Sequence, residues 1–587
     1  MRAIPTALIV AMVALSAVVP AAAAADASDR PTVERTAPDR PAATQATAAQ
    51  EANDTAPADP DEDVIGWENG HWYNESVDVV RSDGLNDTEL DAVVARGMAR
   101  VERVRGLEFE RTVPVDVISR DQYREENAGQ FTNLTDAQAR HENVKWEGTL
   151  MVGEDTDAVA AQESLYGSSV GGYYSPSEGR IVVVSENTTS PEMDEITLSQ
   201  ELFHALQDQQ FNISGYNQST RELHNARDGI IEGDGNYVDY LYEQRCESEW
   251  DCLMPSGGQS SAGDVHLGIY LTIFQPYSDG PSFVEGIYES EGWDGVNAVY
   301  GDPPASTEQV IHPEKYREDA PTNVSVADPP SDEWERLAIE NGIDYASFGE
   351  AGIFSMMLYP TYDSNGATQI VQVQNFINRG SDGQPNTLDP YNYSHPYSDG
   401  WDGDKLVPFV SDDAAENETA YVWNTTWDSE AEATEFVEGY RQVLEYRDAE
   451  AVEGYDGVYR IPDEAAFGDA FAVLQDGDTV TIVNAPTLDQ LDAVHADAPD
   501  VTGYDTGDEE DGNDSGSDTE SGSGDSDSDS DSDDSDSDDS DSDSDNDSES
   551  DDSGSDSGPD SGGQPGFGVG AAVAGLLAAL LLARRHA

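Results

Sequence analysis

From residue 505 to residue 560 the chain carries 26 acidic side chains, no basic one, and no apolar residue other than Pro559. Asp and Ser alternate through most of this stretch. It has no apolar surface whose burial would offset the entropy of ordering its backbone, so it predicts a disordered acidic spacer over 504–563. Like charges extend a chain of this kind. Any hydrophobic core is therefore confined to what precedes it. Residues 26–60, rich in Ala, Pro, Thr and Asp, predict a second flexible segment, which leaves a body of residues 61 to about 500. At ~150 residues per domain, the 587-residue chain has room for two to four domains.

The acidity is not confined to the spacer. The whole chain has 120 acidic and 28 basic residues, a formal net charge of −92, and without the spacer's 26 acids an excess of 66 remains. Only three basic residues are lysine: Lys145, Lys315 and Lys405. Such a surface repels nucleic-acid phosphates and anionic lipid headgroups, which excludes nucleic-acid binding. Its self-repulsion opposes a compact state unless strong salt shortens the Debye length, to ~3 Å at 1 M. The acidic, lysine-poor composition resembles that of proteins from extremely halophilic archaea.

Both ends read as addresses. Arg2, the apolar stretch Ala7–Val19 and the small residues Ala21–Ala25 predict a secretory signal peptide over 1–25. The alternative is a retained N-terminal anchor, although the apolar run is short for a membrane span. At the other end Pro565, Gly566 and Phe567 precede an apolar run, Val569–Ala583, and a basic tip, Arg584-Arg585-His586. As a helix the run would be ~22 Å long against a ~30 Å hydrocarbon core. This order resembles the PGF-CTERM sorting signal of halophilic archaea, here over 564–587. The resemblance implies cleavage near Pro565 by an archaeosortase, with a lipid replacing the helix. The alternative is an uncleaved tail anchor. Either arrangement places the body on the outer face of the cell membrane, within or beneath the surface layer.

Export gives the remaining composition its meaning. Cys246 and Cys252 are the only cysteines. In a compartment that permits disulfides they predict a local bridge, with two buried thiols as the alternative. With no adjacent histidine they make a poor zinc site. Sequons for N-glycosylation occur at Asn53, Asn74, Asn86, Asn133, Asn187, Asn212, Asn217, Asn323, Asn392, Asn417, Asn424, Asn513 and Asn546. The expected product is a surface glycoprotein, matured by the N-glycosylation machinery and an archaeosortase.

Within the body, apolar spacing predicts helices over Leu90–Val104, Met193–Gln210, about Arg221–Gln244 and Glu430–Tyr446. Hairpins are expected around the turns Pro176–Gly179 and Asp476–Thr479. Between these, Gly- and Asx-rich loops are expected to alternate with short helices up to about residue 410. The fold class is α+β, with a boundary drawn between 61–415 and a small α+β domain over 416–503.

The chemistry-bearing segment is Leu198-Ser-Gln-Glu-Leu-Phe-His-Ala-Leu-Gln-Asp-Gln209. On a helix Gln200 and His204 share one face, with Glu201 at its margin. In the zinc-peptidase helix, two His at i and i+4 bind the metal and the Glu activates water. The segment resembles a family of secreted gluzincin-like zinc metallopeptidases whose helix ends in His-Ala-Leu-Gln-Asp-Gln. Further similar segments are Ile231–Tyr237, Pro276–Gly280, Pro304–Tyr316, Gly400–Lys405 and Trp423–Asp428, so the resemblance spans about residues 165–445. It implies that 61–415 is a gluzincin-like domain, mostly helical with a small mixed sheet. It also implies His204 and Glu232 as zinc ligands, Glu201 as the catalytic carboxylate and His312 as the group that stabilises an oxyanion. The 171–184 hairpin would supply an edge strand on which an extended peptide pairs.

Gln200 stands where the pattern has its first histidine. A neutral amide oxygen is a weaker donor to Zn2+ than imidazole nitrogen, and a catalytic site needs three good protein donors. The leading expectation is a catalytically impaired homologue, with zinc weak or absent, that binds envelope or extracellular polypeptides. The alternatives are an active zinc metallopeptidase using Gln200 or another donor, and a structural glycoprotein whose Gln, Glu and His satisfy one another. The excess of acids outside the spacer carries a testable consequence. Below roughly 0.5 M salt, where the Debye length exceeds ~4 Å, tertiary structure should loosen. Near-UV circular dichroism during dialysis from high salt checks this, and an unchanged spectrum would contradict it.

Overall fold

The computed structural model describes residues 58–501, apart from 80–83, 128–133, 170, 186, 192–193, 254–264, 341, 382 and 412–417. The signal peptide, the spacer, the sorting signal and five sequons (Asn53, Asn133, Asn417, Asn513, Asn546) lie outside the described residues.

A short ribbon, β1 (Trp67–Glu68) and β2 (His71–Trp72), leads to helix α1 (Asp87–Arg105), strand β3 (Val115–Ile118) and helices α2 (Arg120–Asn127), α3 (Asp136–Glu147) and α4 (Ala158–Ser169). The hairpin β4 (Gly172–Ser175) and β5 (Arg180–Val184) precedes three long helical segments: α5 (Glu195–Phe211), α6 (Arg221–Ser248) and α7 (Leu267–Val299), the last broken by a kink at Gly292, φ 69°. Next come α8 (Glu308–Ile311), β6 (Trp334–Arg336), α9 (Gly349–Asp363) and α10 (Val373–Phe376). The remainder is β7 (Trp401–Ser411), β8 (Thr419–Trp427), α11 (Glu430–Tyr446), β9 (Glu450–Ala451), β10 (Val458–Arg460), β11 (Ala470–Asp476), β12 (Thr479–Ala485) and α12 (Leu491–Val494).

The strands form two larger sheets. In the first, β5 lies between β3, parallel to it, and β4, antiparallel to it. The second has seven strands in the order β6-β7-β8-β12-β11-β10-β9, every neighbouring pair antiparallel. The described part is thus α+β. The boundary drawn between 415 and 416 falls between β7 and β8, which are partners in one sheet.

Local chemistry explains the helix ends. Asn86 and Glu89 form a reciprocal capping box at the start of α1, and Gly106 ends it with φ 75°. The Asp194 side chain accepts from Ile196 N at the start of α5. The expected loops between α6 and β7 are instead occupied by α7 and α9. Pro276, Pro281 and several glycines make the α7 segment read as loop, yet its first half is buried almost throughout, from Gly268 to Val284. Apolar burial outweighs the hydrogen bonds that the two prolines forgo. The glycines have a packing role. A Cβ on Gly280 would lie 2.8 Å from Gly229 O, and one on Gly233 would lie 2.6 Å from Gly280 C, so α6 and α7 touch backbone to backbone.

Three arginines of α1 are interior. Arg96 and Arg100 both pair with Glu195, which also accepts from Tyr242 Oη at 2.7 Å and Leu253 N at 2.8 Å. Arg105 pairs with Asp234 of α6 at 3.0 Å. Removing one partner of such a buried set strands the remaining charge, at ~3–5 kcal/mol. Glu195→Gln is therefore expected to lower stability by roughly that amount, measured by chemical denaturation in high salt, with Arg96 and Arg100 left facing a neutral amide.

Candidate functional site

The α5–α6 pair brings four sequence-derived residues together. Gln200, Glu201 and His204 come from α5 and Glu232 from α6, and each is 1% exposed. His204 Nδ1 lies 2.7 Å from Gln207 Oε1. The Gln207 amide cannot turn over, because its Nε2 donates to Ile231 O at 2.8 Å and to Tyr300 Oη at 2.6 Å. Nδ1 must therefore be the protonated nitrogen of His204. In the neutral ring, Nε2 then presents its lone pair to Glu232 Oε2, 3.4 Å away, and neither atom has a hydrogen-bond partner. Two lone pairs held face to face need a positive charge between them, either a proton on Nε2 or a metal ion.

Both fit what surrounds them. Burial opposes the imidazolium, but the facing Glu232 outweighs it and the His204 pKa is pushed up to about 10. A tetrahedral ion with ligands at ~2.0–2.2 Å also places its donors ~3.4 Å apart. Glu201 sits beside the pair. One of its oxygens accepts from Tyr174 N at 2.8 Å and the other has no partner. Burial raises its pKa to about 7, with His204 opposing and Glu232 adding to the rise. Gln200 shares the His204 face, and its Nε2 is likewise buried without a partner. His204 Nε2 and Glu232 Oε2 thus stand at a separation that a proton or a metal ion could bridge.

Three participants were not singled out from sequence. Gln207 fixes the His204 ring. Tyr300 donates to Asp234 Oδ2 at 2.7 Å, which links that ring to the Arg105 pair. Asp239, two turns beyond Glu232, accepts from Ser199 Oγ at 3.1 Å, and burial raises its pKa well above the ordinary value. Spacing held the signal: Gln207 is three residues from His204, and Asp239 seven from Glu232, each on the same helix face. The rest of the motif also has structural work. Asp208 accepts from Tyr174 Oη at 3.0 Å, and Gln209 Oε1 accepts from the backbone of Glu110 and Arg111.

The other expected residue lies elsewhere. His312 Nε2 lies 3.0 Å from Glu350 Oε1 and 3.7 Å from Asp399 Oδ1, and none of its described contacts reaches Glu201, His204 or Glu232. β4 is an edge strand beside α5, as expected, but all four of its residues are buried and Glu201 already accepts the Tyr174 N–H. Cys246 and Cys252 form a disulfide. Among the described sequons, Asn74, Asn86, Asn187, Asn212, Asn217 and Asn323 are exposed. The Nδ2 groups of Asn86, Asn392 and Asn424 donate to Glu89, Asn375 O and Ser325 O.

A domain of unknown function, DUF8575, matches residues 335–495, from β6 to just past α12. It takes in the seven-stranded sheet and leaves α5 and α6 outside. The PGF-CTERM motif matches residues 564–586, so the chain is a cell-surface, membrane-anchored archaeal protein processed by an archaeosortase. No curated protein and no solved structure matches the chain.

Replacing Gln207 by Leu would leave His204 Nδ1 without a partner and remove the donor shared by Ile231 O and Tyr300 Oη, at roughly 1–3 kcal/mol for the buried nitrogen left unpaired. A stability loss of at least that size is expected for Gln207→Leu in high-salt denaturation. A neutral result would mean that the ring is held by something else.

Proposed function

We propose that this surface-anchored protein carries a metallopeptidase-type helix pair that has lost turnover, and that it serves in binding envelope or extracellular polypeptides. The observation that carries this reading is the His204–Glu232 pair, with two unpartnered donor atoms held at ligand spacing while Gln200 occupies the first ligand position. Closure argues in the same direction. A scissile peptide must reach both the metal and the water-activating carboxylate. Here Glu201, His204 and Glu232 are each 1% exposed, and the edge N–H beside them is bonded to Glu201. What remains for such a domain at the cell surface is recognition rather than hydrolysis.

Zinc uptake and casein cleavage in high salt test the reading. Wild type should cleave no casein. Gln200→His adds an imidazole four residues before His204, and should hold one more tightly bound zinc per chain than wild type, with affinity at that site raised by at least ~100-fold. If Gln200→His gains no zinc over wild type, the ligand arrangement is wrong. Casein cleavage by wild type that Glu201→Gln abolishes would overturn the loss of turnover.

A further inference from the structure

We propose that His312, Glu350 and Asp399 form a second metal centre, one that takes a divalent transition-metal ion of the Mn2+ or Zn2+ class and joins three distant segments of the chain. The residues come from the end of α8, the first turn of α9 and the turn leading into β7. Their ligand atoms all lie within 4.8 Å of one another. His312 Nε2 is 3.0 Å from Glu350 Oε1 and 3.7 Å from Asp399 Oδ1. Donors at ~2.1 Å from an ion stand ~3.0 Å apart at a right angle and ~3.4 Å apart at the tetrahedral angle, so both separations fall near ligand spacing.

A cluster of acids alone would not make a site, and two observations go further. Glu350 is fully buried, and while one oxygen meets His312 the other, Oε2, has no partner. An unpaired carboxylate oxygen away from water is costly unless something positive meets it. Asp279, also buried, lies close to Glu350, His312 and Asp389, and beside it Gln275 Oε1 is a second buried acceptor without a partner. Among the described ion pairs no Lys or Arg reaches Glu350, Asp399 or Asp279, and His312 meets the first two.

The ligands are oriented as a metal site requires. Asp399 is held by His395 N at 2.8 Å and by Ser394 Oγ at 3.2 Å, which sets its carboxylate before an ion arrives. The donor set decides the ion class. Ca2+ and Mg2+ take oxygen ligands, whereas one imidazole with two carboxylates suits Zn2+, Mn2+ and their neighbours. The site shares no residue with the α5–α6 cluster, so it does not depend on the reading of that cluster.

Full-length protein, stripped by chelator and loaded with Mn2+ or with Zn2+ in high salt, tests the proposal by elemental analysis after desalting. Wild type should retain one ion more per chain than Glu350→Gln and Asp399→Asn, whose affinity at this site should fall by more than ~100-fold. His204→Ala should keep this ion, which separates the two clusters. The acidic spacer is common to every variant and cancels in the comparison. Near-UV circular dichroism identifies any variant that fails to fold, and either folded variant suffices for the comparison. Wild type that takes up no ion overturns the proposal, as does a folded Glu350→Gln or Asp399→Asn that holds as much as wild type.

Discussion

The buried guanidinium groups of α1 hold the helical half of the body in register. Arg96 and Arg100 reach the same Glu195 at the head of α5, and Arg105 reaches Asp234 in the middle of α6. An ion pair taken out of water is favourable only when further hydrogen bonds satisfy its remaining donors and acceptors. Tyr242 and Leu253 N do this for Glu195, and Tyr300 does it for Asp234. Tyr300 then accepts from Gln207, whose carbonyl holds the His204 ring. One connected polar network thus runs from the core of α1 to the candidate site. His204 faces Glu232 because α5 and α6 are each tied to α1.

That placement inverts the charge pattern of the exterior. A chain with 120 acids and 28 bases has few cations with which to compensate its surface. Three of them nevertheless lie fully buried, where screening by salt reaches least. Strong salt can therefore relieve repulsion among the outer carboxylates without weakening the pairs that organise the interior. The backbone contact of α6 with α7, through Gly229, Gly233 and Gly280, fixes the other side of α6. Glu232 is set between the two constraints.

The two halves of the body rest on different physics. The helical half depends on buried polar pairs. The sheet half is organised by aromatic packing, with Trp423 of β8 meeting Phe436 and Tyr440 of α11 edge to face. The matched domain of unknown function covers the sheet half alone. Glu350 and Asp399 lie inside that match and His312 outside it, so an ion at that cluster would couple the matched segment to the chain before it.

Much of this was legible in the sequence wherever period and punctuation agree. The Pro176–Gly179 turn and the apolar spacing of α1, α5 and α11 place elements whose ends the structure moves by only a few residues. The pairing of Gln200, Glu201 and His204 on one helix followed from periodicity, and their meeting with Glu232 from a motif resemblance. Local sequence misplaced α7, where proline and glycine signal a loop but burial of the first half forms a helix. It also placed a domain boundary between β7 and β8, because strand pairing is a long-range fact that no window of residues carries. Composition, export and the sorting signal belong to the sequence, since they are written in consecutive residues. The tertiary structure alone decided that Gln207 sets the His204 tautomer, that Glu201 closes the β4 edge, and that His312 meets Glu350 and Asp399. Each of these depends on groups brought within hydrogen-bond or ion-pair distance by packing rather than by their order in the chain.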